Sequence, residues 1–411
     1  MQPDTKPVQM SPLTTIDAAL EFLLGNLTTI AEQELVPIMA AHKRVLATTI
    51  VAPINVPSQA NSAMDGYAVH AADATLNVTL PVTQRIAAGQ TGPKLSRGEA
   101  ARIFTGAPMP EGADAVVMQE DCRVEGDRIV ILEAAHNGLN TRQVGEDLRA
   151  GDAVLAAGKR LQAQDIGVLA SLGLTEVLVK RQLRVALMTT GDELVEPGQP
   201  LAPGQIYNSN FYTLSTLLQA LGVDVLDCGV VSDDLDHTRQ ALQGVAQDAD
   251  CIISTGGVSV GEEDHVKAAL AEAGQLSLWK LAIKPGKPLA YGKLGNAHFF
   301  GLPGNPVSAF VTFALIVRPC LLTMLGCAHP FPLVMQSQSG MAYQTGNRQE
   351  YVRCRIQRDP AGTVQLLPFA NQSSGVGASL SGSDGLAVIP PYTSVAIGDT
   401  LDFVPFSELM S

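Results

Sequence analysis

Apolar residues near the start of the chain recur at Ile16, Ala19, Leu20 and Leu23, the spacing of one helical face, with Ser11 and Thr15 upstream as candidate caps. A second helical segment is expected over residues 31–39, although Pro37 counts against its far end. Residues 45–56 read as extended, interrupted by Pro53 and closed by Pro57. From there to about Asp147 the pattern is short apolar alternation, as at 113–118 and 127–132, broken by glycine and proline. That is the grammar of a mostly β module. Residues 148–182 continue with short strands and a short helix near 166–172.

From Arg184 the pattern changes. Val185-Ala186-Leu187-Met188 is a buried strand, Leu214, Leu217, Leu218 and Leu221 mark a helix, and residues 223–226 form a second strand. Ser232-Asp233-Asp234 then starts a helix with Leu235, Leu242 and Val245 on one face. Cys251-Ile252-Ile253-Ser254-Thr255 follows and runs into Gly256-Gly257 and an acidic helix start, with Val266, Ala269, Leu270 and Ala273 on its face. Strands alternating with helices predict a parallel sheet with right-handed crossovers, whose ligands bind beyond the carboxyl ends of the strands. The loops with Glu193, Asp233 and Gly256-Gly257 all lie at those ends and converge on one mouth. A glycine turn before a helix N-terminus suits an anion, and close packing is an alternative reason for the same glycines.

Residues 279–288 place Lys280, Lys284 and Lys287 around a Pro-Gly turn, and residues 299–306 lead through Pro303-Gly304-Asn305-Pro306 into a long helix ending at Gly326. Asn305 reads as its N-cap and Pro306 as its first residue. The apolar stretch 310–325, broken by Arg318-Pro319, is expected to be a buried core helix too short to span a bilayer. Short apolar strands at 351–356 and 386–390, joined through a flexible loop at 373–379, predict a small terminal barrel.

With 411 residues, 46% hydrophobic and 16% charged, the chain should fold as two to four globular domains. A net charge of −13 argues against general affinity for nucleic acid or anionic membrane, which makes the lysine cluster stand out as a local anion site. The six cysteines have no CxxC spacing, so buried thiols in a reducing cytosol are favoured over a zinc site. No basic-then-apolar leader begins the sequence, and a soluble, cytoplasmic protein is expected. Three polar loops remain, at 61–69 around Asp65, at 105–112 and at 140–147; each alone could be a simple turn, Asp65-Gly66 an Asx turn.

Along the chain stand, in order, Asn61-Ser62-Ala63-Met64-Asp65-Gly66-Tyr67-Ala68, Thr105-Gly106-Ala107-Pro108, Gly145-Glu146-Asp147 and Thr190-Gly191-Asp192-Glu193-Leu194. Ser254-Thr255-Gly256-Gly257-Val258-Ser259-Val260-Gly261, Lys284-Pro285-Gly286-Lys287-Pro288 and Gly301-Leu302-Pro303-Gly304-Asn305-Pro306 follow. Taken together and in this order the loops resemble the MoeA proteins, the molybdopterin molybdenumtransferases, whose relatives include the E domain of gephyrin, and the resemblance covers essentially the whole chain. It implies a multidomain α/β plus β fold. A parallel α/β sandwich domain of molybdopterin-binding type would comprise 8–30 and 183–328, and a linker domain of α+β type 31–56 and 147–182. A mostly β inserted domain would cover 57–146, and a small C-terminal β-barrel 329–411.

The resemblance further implies an elongated homodimer that inserts molybdate into adenylylated molybdopterin and releases AMP with Mg²⁺. Cofactor-pathway proteins such as the molybdopterin adenylyltransferase would be partners. Carried over residue by residue, it makes Asp65, Asp147 and Glu193 catalytic, and Asp233 and Asp264 ligands of Mg²⁺, a hard ion wanting oxygen donors. Substrate would be bound by Thr105, Arg142, Ser254, Gly256, Gly257, Ser259, Lys280, Lys284, Lys287, Pro303, Pro306, Arg353 and Ser379. The competing readings are the adenylyltransferase itself, normally a single α/β domain, and a gephyrin-like scaffold without catalysis.

Overall fold

A computed structural model describes residues 13–257, 266, 268–270, 275–358 and 362–410. The βα alternation after Arg184 builds a six-stranded sheet in the order Asp224–Val231, Arg184–Thr190, Cys251–Thr255, Ala297–Leu302, Pro288–Leu294, Gln275–Lys280. The first four strands are parallel, as expected. The fifth, Pro288–Leu294, runs against the others and pairs antiparallel on both sides, which the α/β pattern did not predict. The cause is local: Leu294 pairs with Ala297 across Gly295-Asn296, and Gly295 has φ +56, so a two-residue hairpin turns the chain back. Successive residues along each central strand face opposite layers. Leu187, Ile253 and Phe300 pack under the helices Ile16–Asn26, Ser209–Leu221 and 306–324, whereas Met188, Ile252 and Phe299 join the core beneath Leu235–Val245 and Val266.

The central helix runs through Pro306–Thr312, a π turn at Phe313–Val317 and Arg318–Met324. Proline in a helix interior removes a donor and crowds the preceding turn, and a wider π turn just before Pro319 absorbs both defects. The helix therefore continues past Pro319, in line with the long helix expected to end at Gly326. By length and composition the helix Pro306–Met324 could cross a membrane, contrary to the sequence expectation, but it is 94% buried as the core of the sandwich.

The second expected helix is also corrected. Gln33–Pro37 is a strand paired antiparallel with Glu176–Lys180, and only Ile38–Ala40 coils, as a short 3₁₀ turn. Pairing with a partner strand outweighs weak helical periodicity there, and Pro37 needs no ladder donor at the strand's end. Within 45–56 only Ile50–Val51 forms a ladder, against Ala153–Leu155, while Val45, Leu46 and Val56 make single bridges.

The inserted module is a six-stranded sheet, Ala115–Met118, Gly66–Val69, Ala100–Ile103, Thr79–Ile86, Arg128–Ile131, Cys122–Glu125, with an apolar cluster on each face. In the C-terminal region Gln349–Arg358, Val364–Pro368, Met335–Ser339, Thr400–Pro405 and Gly385–Ile389 close into a barrel, because Gln349–Arg358 also pairs with Gly385–Ile389. A short strand of the lysine loop, Ile283–Lys284, adds to Gln349 and Glu350 of that barrel and stitches it to the α/β layer. The loop after 371 is not free: the buried Arg353 donates to the carbonyls of Asn371 and Ser373. All six cysteines are free thiols, and burial pushes those of Cys320 and Cys354 up to about 12, as inert core thiols should behave.

At the amino ends of the strands, Asp250 takes both Arg181 nitrogens at 2.8 and 3.0 Å and the Arg184 N–H at 2.8 Å. Partial burial disfavours its charge, but these donors outweigh burial and hold the carboxyl below the usual carboxylate range. A depressed pKa contributes stability above the unfolded value, about 3.9, that is lost as pH falls through the folded one. Asp250→Asn should therefore melt lower than the parent at pH 7, and the gap should shrink below about pH 4; a gap that stays constant across thermal melts from pH 7 to 3 would refute the assignment.

Candidate functional site

The carboxyl ends of the three central strands finish flush, since Thr189 pairs with Thr255 and Thr255 with Leu302. Their turns then pack on one another. Gly256 and Gly257 have φ +92 and +62, and a Cβ on Gly256 would lie 2.5 Å from the Thr190 carbonyl oxygen. On Gly257 it would meet Val266 Cγ2 at 2.6 Å. Packing requires both glycines, and both also line the first cavity beyond the turn. Gly191, at φ +143, lies under the Glu193 carboxylate, 2.5 Å from where its Cβ would be.

Two cavities of about 620 Å³ each open at this mouth and share Gly256, Gly304 and Asn305. The first is lined by Gly257, Lys284, Lys287, Pro303, Ser308, Arg348 and the barrel loop Gln372-Ser373-Ser374. The second is lined by Thr190, Glu193, Asn208, Ser209, Asn210, Thr255, Pro306 and Gly375. Asn210 bridges the two glycine loops, donating to Thr255 Oγ1 at 2.9 Å and to the Gly304 carbonyl at 2.7 Å. Asn208 caps its helix at the Phe211 N–H and donates to Thr189 Oγ1. Asn305 stands at the N-cap position of the core helix but makes no side-chain cap bond; Val307 N–H instead donates to the Ser374 carbonyl, which draws the barrel loop over the helix start.

The residues singled out from sequence fall into four groups. Gly256, Gly257, Lys284, Lys287, Pro303, Pro306 and Glu193 line the cavities. Ser254, Arg353 and Ser379 stand behind them: Ser254 Oγ is buried without a partner, and Arg353, 1% exposed, donates to Ser379 Oγ at 3.1 Å. Burial lowers the Arg353 pKa, and its carbonyl contacts hold up the loop that forms the cavity wall. Lys280 and Asp233 line neither cavity; Lys280 binds the Thr14 N–H through its carbonyl, and Asp233 N–H donates to Asp192 Oδ1 at 3.0 Å. Ser259 and Asp264 lie outside the described residues.

The fourth group is Asp65, Thr105 and Arg142 on the inserted module, with Asp147 just beyond its end. Asn61–Ser62 pairs with Thr141–Arg142, and Ser62 exchanges backbone bonds with Gly106 and Ala107, so Asp65, Thr105 and Arg142 share one edge. Asp65 does not cap its own turn: its Oδ1 accepts the Thr105 N–H and hydroxyl, both at 2.8 Å. The Thr105 amide, then its hydroxyl, and then Arg102 hold the Asp65 carboxyl below its ordinary range, so it is ionised at neutral pH. Asp147 follows on a turn whose N–H groups bind Val56. None of these four lines the cavities at the sheet mouth. Sequence reasoning missed Arg348, Asn208, Asn210 and Ser308; Asn208-Ser209-Asn210 carries a helix-start signature that would have pointed to the two asparagines.

Residues 14–173 match the description MoeA N-terminal region (domain I and II), 186–323 the probable molybdopterin binding domain, and 343–406 the MoeA C-terminal region (domain IV). A molybdopterin molybdenumtransferase of Haemophilus influenzae is 45% identical over 97% of this chain and all of its own length. The chain belongs to the molybdopterin molybdenumtransferase family. It is thus a transferase of molybdenum cofactor biosynthesis. A family member from Nostoc sp. is 36% identical over 90% of this chain and 87% of its own. The fold agrees with the crystal structure of a molybdopterin biosynthesis protein MoeA from Pyrococcus horikoshii, with a TM-score of 0.81 at 28% identity over 96% of this chain and all of the other.

Gly256→Ala should destabilise the protein by about 2 kcal/mol, combining left-handed strain with the clash on Thr190. Gly98→Ala, at φ +76 but with nothing within 4 Å, should cost clearly less. Urea melts of the two variants check this, and equal losses would remove the packing argument.

Proposed function

We propose that this chain inserts molybdenum, delivered as molybdate, into adenylylated molybdopterin with release of AMP, acting in the cytoplasm as a homodimer. The observation that carries the reading is the first cavity. Among the described residues Lys284, Lys287 and Arg348 line it without a single carboxylate, in a protein of net charge −13. Such a cavity attracts a tetrahedral oxyanion or a phosphate, Lys as a point charge and Arg as a fork. The adjoining cavity, with Glu193 and the asparagines, offers the mixed donors and acceptors that a pterin or nucleotide edge requires.

Cleavage of a phosphoanhydride asks mainly for positioning and charge neutralisation. In this reading the two lysines and Arg348 hold the anionic groups, and the glycine turns bring backbone close to them. Asp65, ionised and fixed by Thr105, accepts a hydrogen bond from substrate instead of donating a proton. Magnesium fits the donor chemistry in a limited way. Among the described residues no three His, Cys, Asp or Glu groups gather, yet Mg²⁺ usually takes one or two carboxylates beside substrate phosphates. Asp233, with Asp264, would hold it, and its contribution would be to neutralise phosphate charge.

Asp65, Thr105 and Arg142 on the inserted module, and Asp147 just beyond its end, line neither cavity. The reading therefore assigns them to the facing protomer's site, as an isologous dimer allows. The adenylyltransferase, normally a single α/β domain, does not account for the full-length match to family members, and the name those relatives carry, molybdopterin molybdenumtransferase, favours catalysis over a scaffold. Asp65→Asn and Lys287→Ala should each lower AMP release about hundredfold. Mixing and re-equilibrating the two inactive variants should restore up to about a quarter of parent activity, because each mixed dimer has one intact composite site. Full activity of Asp65→Asn, or no recovery on mixing despite exchange seen by sedimentation, would overturn the shared site.

A further inference from the structure

Lys284 reaches the cavity from a strand it shares with the barrel, where its register partner is Glu350. Glu350 is 5% exposed and does not line the cavity itself. A carboxylate buried this far is costly unless it is paired and hydrogen-bonded. Here it takes the Lys284 ammonium through both oxygens, at 3.2 and 3.1 Å, and the Tyr343 hydroxyl at 2.8 Å. Burial, and then the bond to Glu350, push the Tyr343 hydroxyl up to about 12, so it remains a protonated donor.

The lysine side chain is 47% exposed, and its four-carbon stem would otherwise sample many rotamers. Arg348 reinforces the same junction by donating to the Ile283 carbonyl at 3.1 Å. We infer that Glu350, supported by Tyr343, is a positioning residue that holds the Lys284 ammonium at the wall of the anion cavity. The barrel is thereby part of the substrate site through charge as well as through the loop it contributes. Among the described residues three cationic side chains line the cavity and one carboxylate stands behind them, an excess of positive charge that suits an oxyanion such as molybdate. This inference rests on the substrate reading proposed above.

The sign of one substitution separates positioning from simple charge. Glu350→Gln keeps the shape and removes a negative charge, so electrostatics alone predicts tighter molybdate binding. Positioning predicts the reverse. With the full-length protein, adenylylated molybdopterin and Mg²⁺, the KM for molybdate should rise about tenfold in Glu350→Gln, with kcat within about threefold of the parent. Tyr343→Phe should raise it about threefold. Lys284→Ala should raise it about tenfold, and Lys284→Ala with Glu350→Gln should be no worse than Lys284→Ala alone. A merely structural glutamate would instead add its full effect to the double variant. An unchanged or lower KM in Glu350→Gln, or additive effects, overturns the positioning role while Lys284→Ala still supports the cavity. If Lys284→Ala leaves the KM unchanged, the substrate reading of the cavity falls and the inference with it.

Discussion

The site depends on one constraint: three parallel strands, buried on both faces, end in register at the same level. Parallel strands need a crossover between them, so each carboxyl end must turn immediately into a loop or helix. When the ends are flush, those turns collide unless they are small. Thr190, Gly256 and Gly304 meet this condition with hydroxyl and glycine residues, and Asn210 ties the turns together with two hydrogen bonds. The two cavities are the space left in front of this tightly packed junction.

Charge follows from the same geometry. An acidic protein concentrates three cations in one cavity by drawing them from separate parts of the chain. Lys284 and Lys287 come from one loop of the α/β layer, and Arg348 from the entry to the barrel. The short strand Ile283–Lys284 makes this possible, since it belongs to the barrel sheet although its neighbours belong to the α/β layer. Glu350 stands behind Lys284, and a fourth cation, the buried Arg353, donates to the carbonyls of 371 and 373 behind the cavity wall. Arg353 therefore contributes to the cavity by supporting its wall.

Sequence patterns that reflect local physics translated directly. The face of Ile16, Ala19, Leu20 and Leu23, the leucines of Ser209–Leu221, and the apolar run Cys251–Thr255 all formed the elements their spacing dictates. The failures were places where a distant partner decided the outcome. Residues 33–37 have modest helical periodicity, but a strand at 176–180 offers them a ladder. The core helix runs on through Arg318-Pro319 as its expected extent to Gly326 required, but the π turn that carries it past the proline was not legible in the sequence.

The chain by itself determined the α/β alternation, the glycine turns, the lysine cluster and the ordered motifs of the family, because each is a matter of residue type and short spacing. It also made the polar loops around Asp65 and Asp147 recognisable as something other than core. Only the tertiary structure decided which of these groups meet. It placed Lys284, Arg348 and the glycines around one cavity, moved Arg353 and Ser379 behind its wall, and set Asp65 on a separate module. Those outcomes depend on strand register and module packing between residues tens to hundreds of positions apart. No local pattern encodes the distances at which such contacts act.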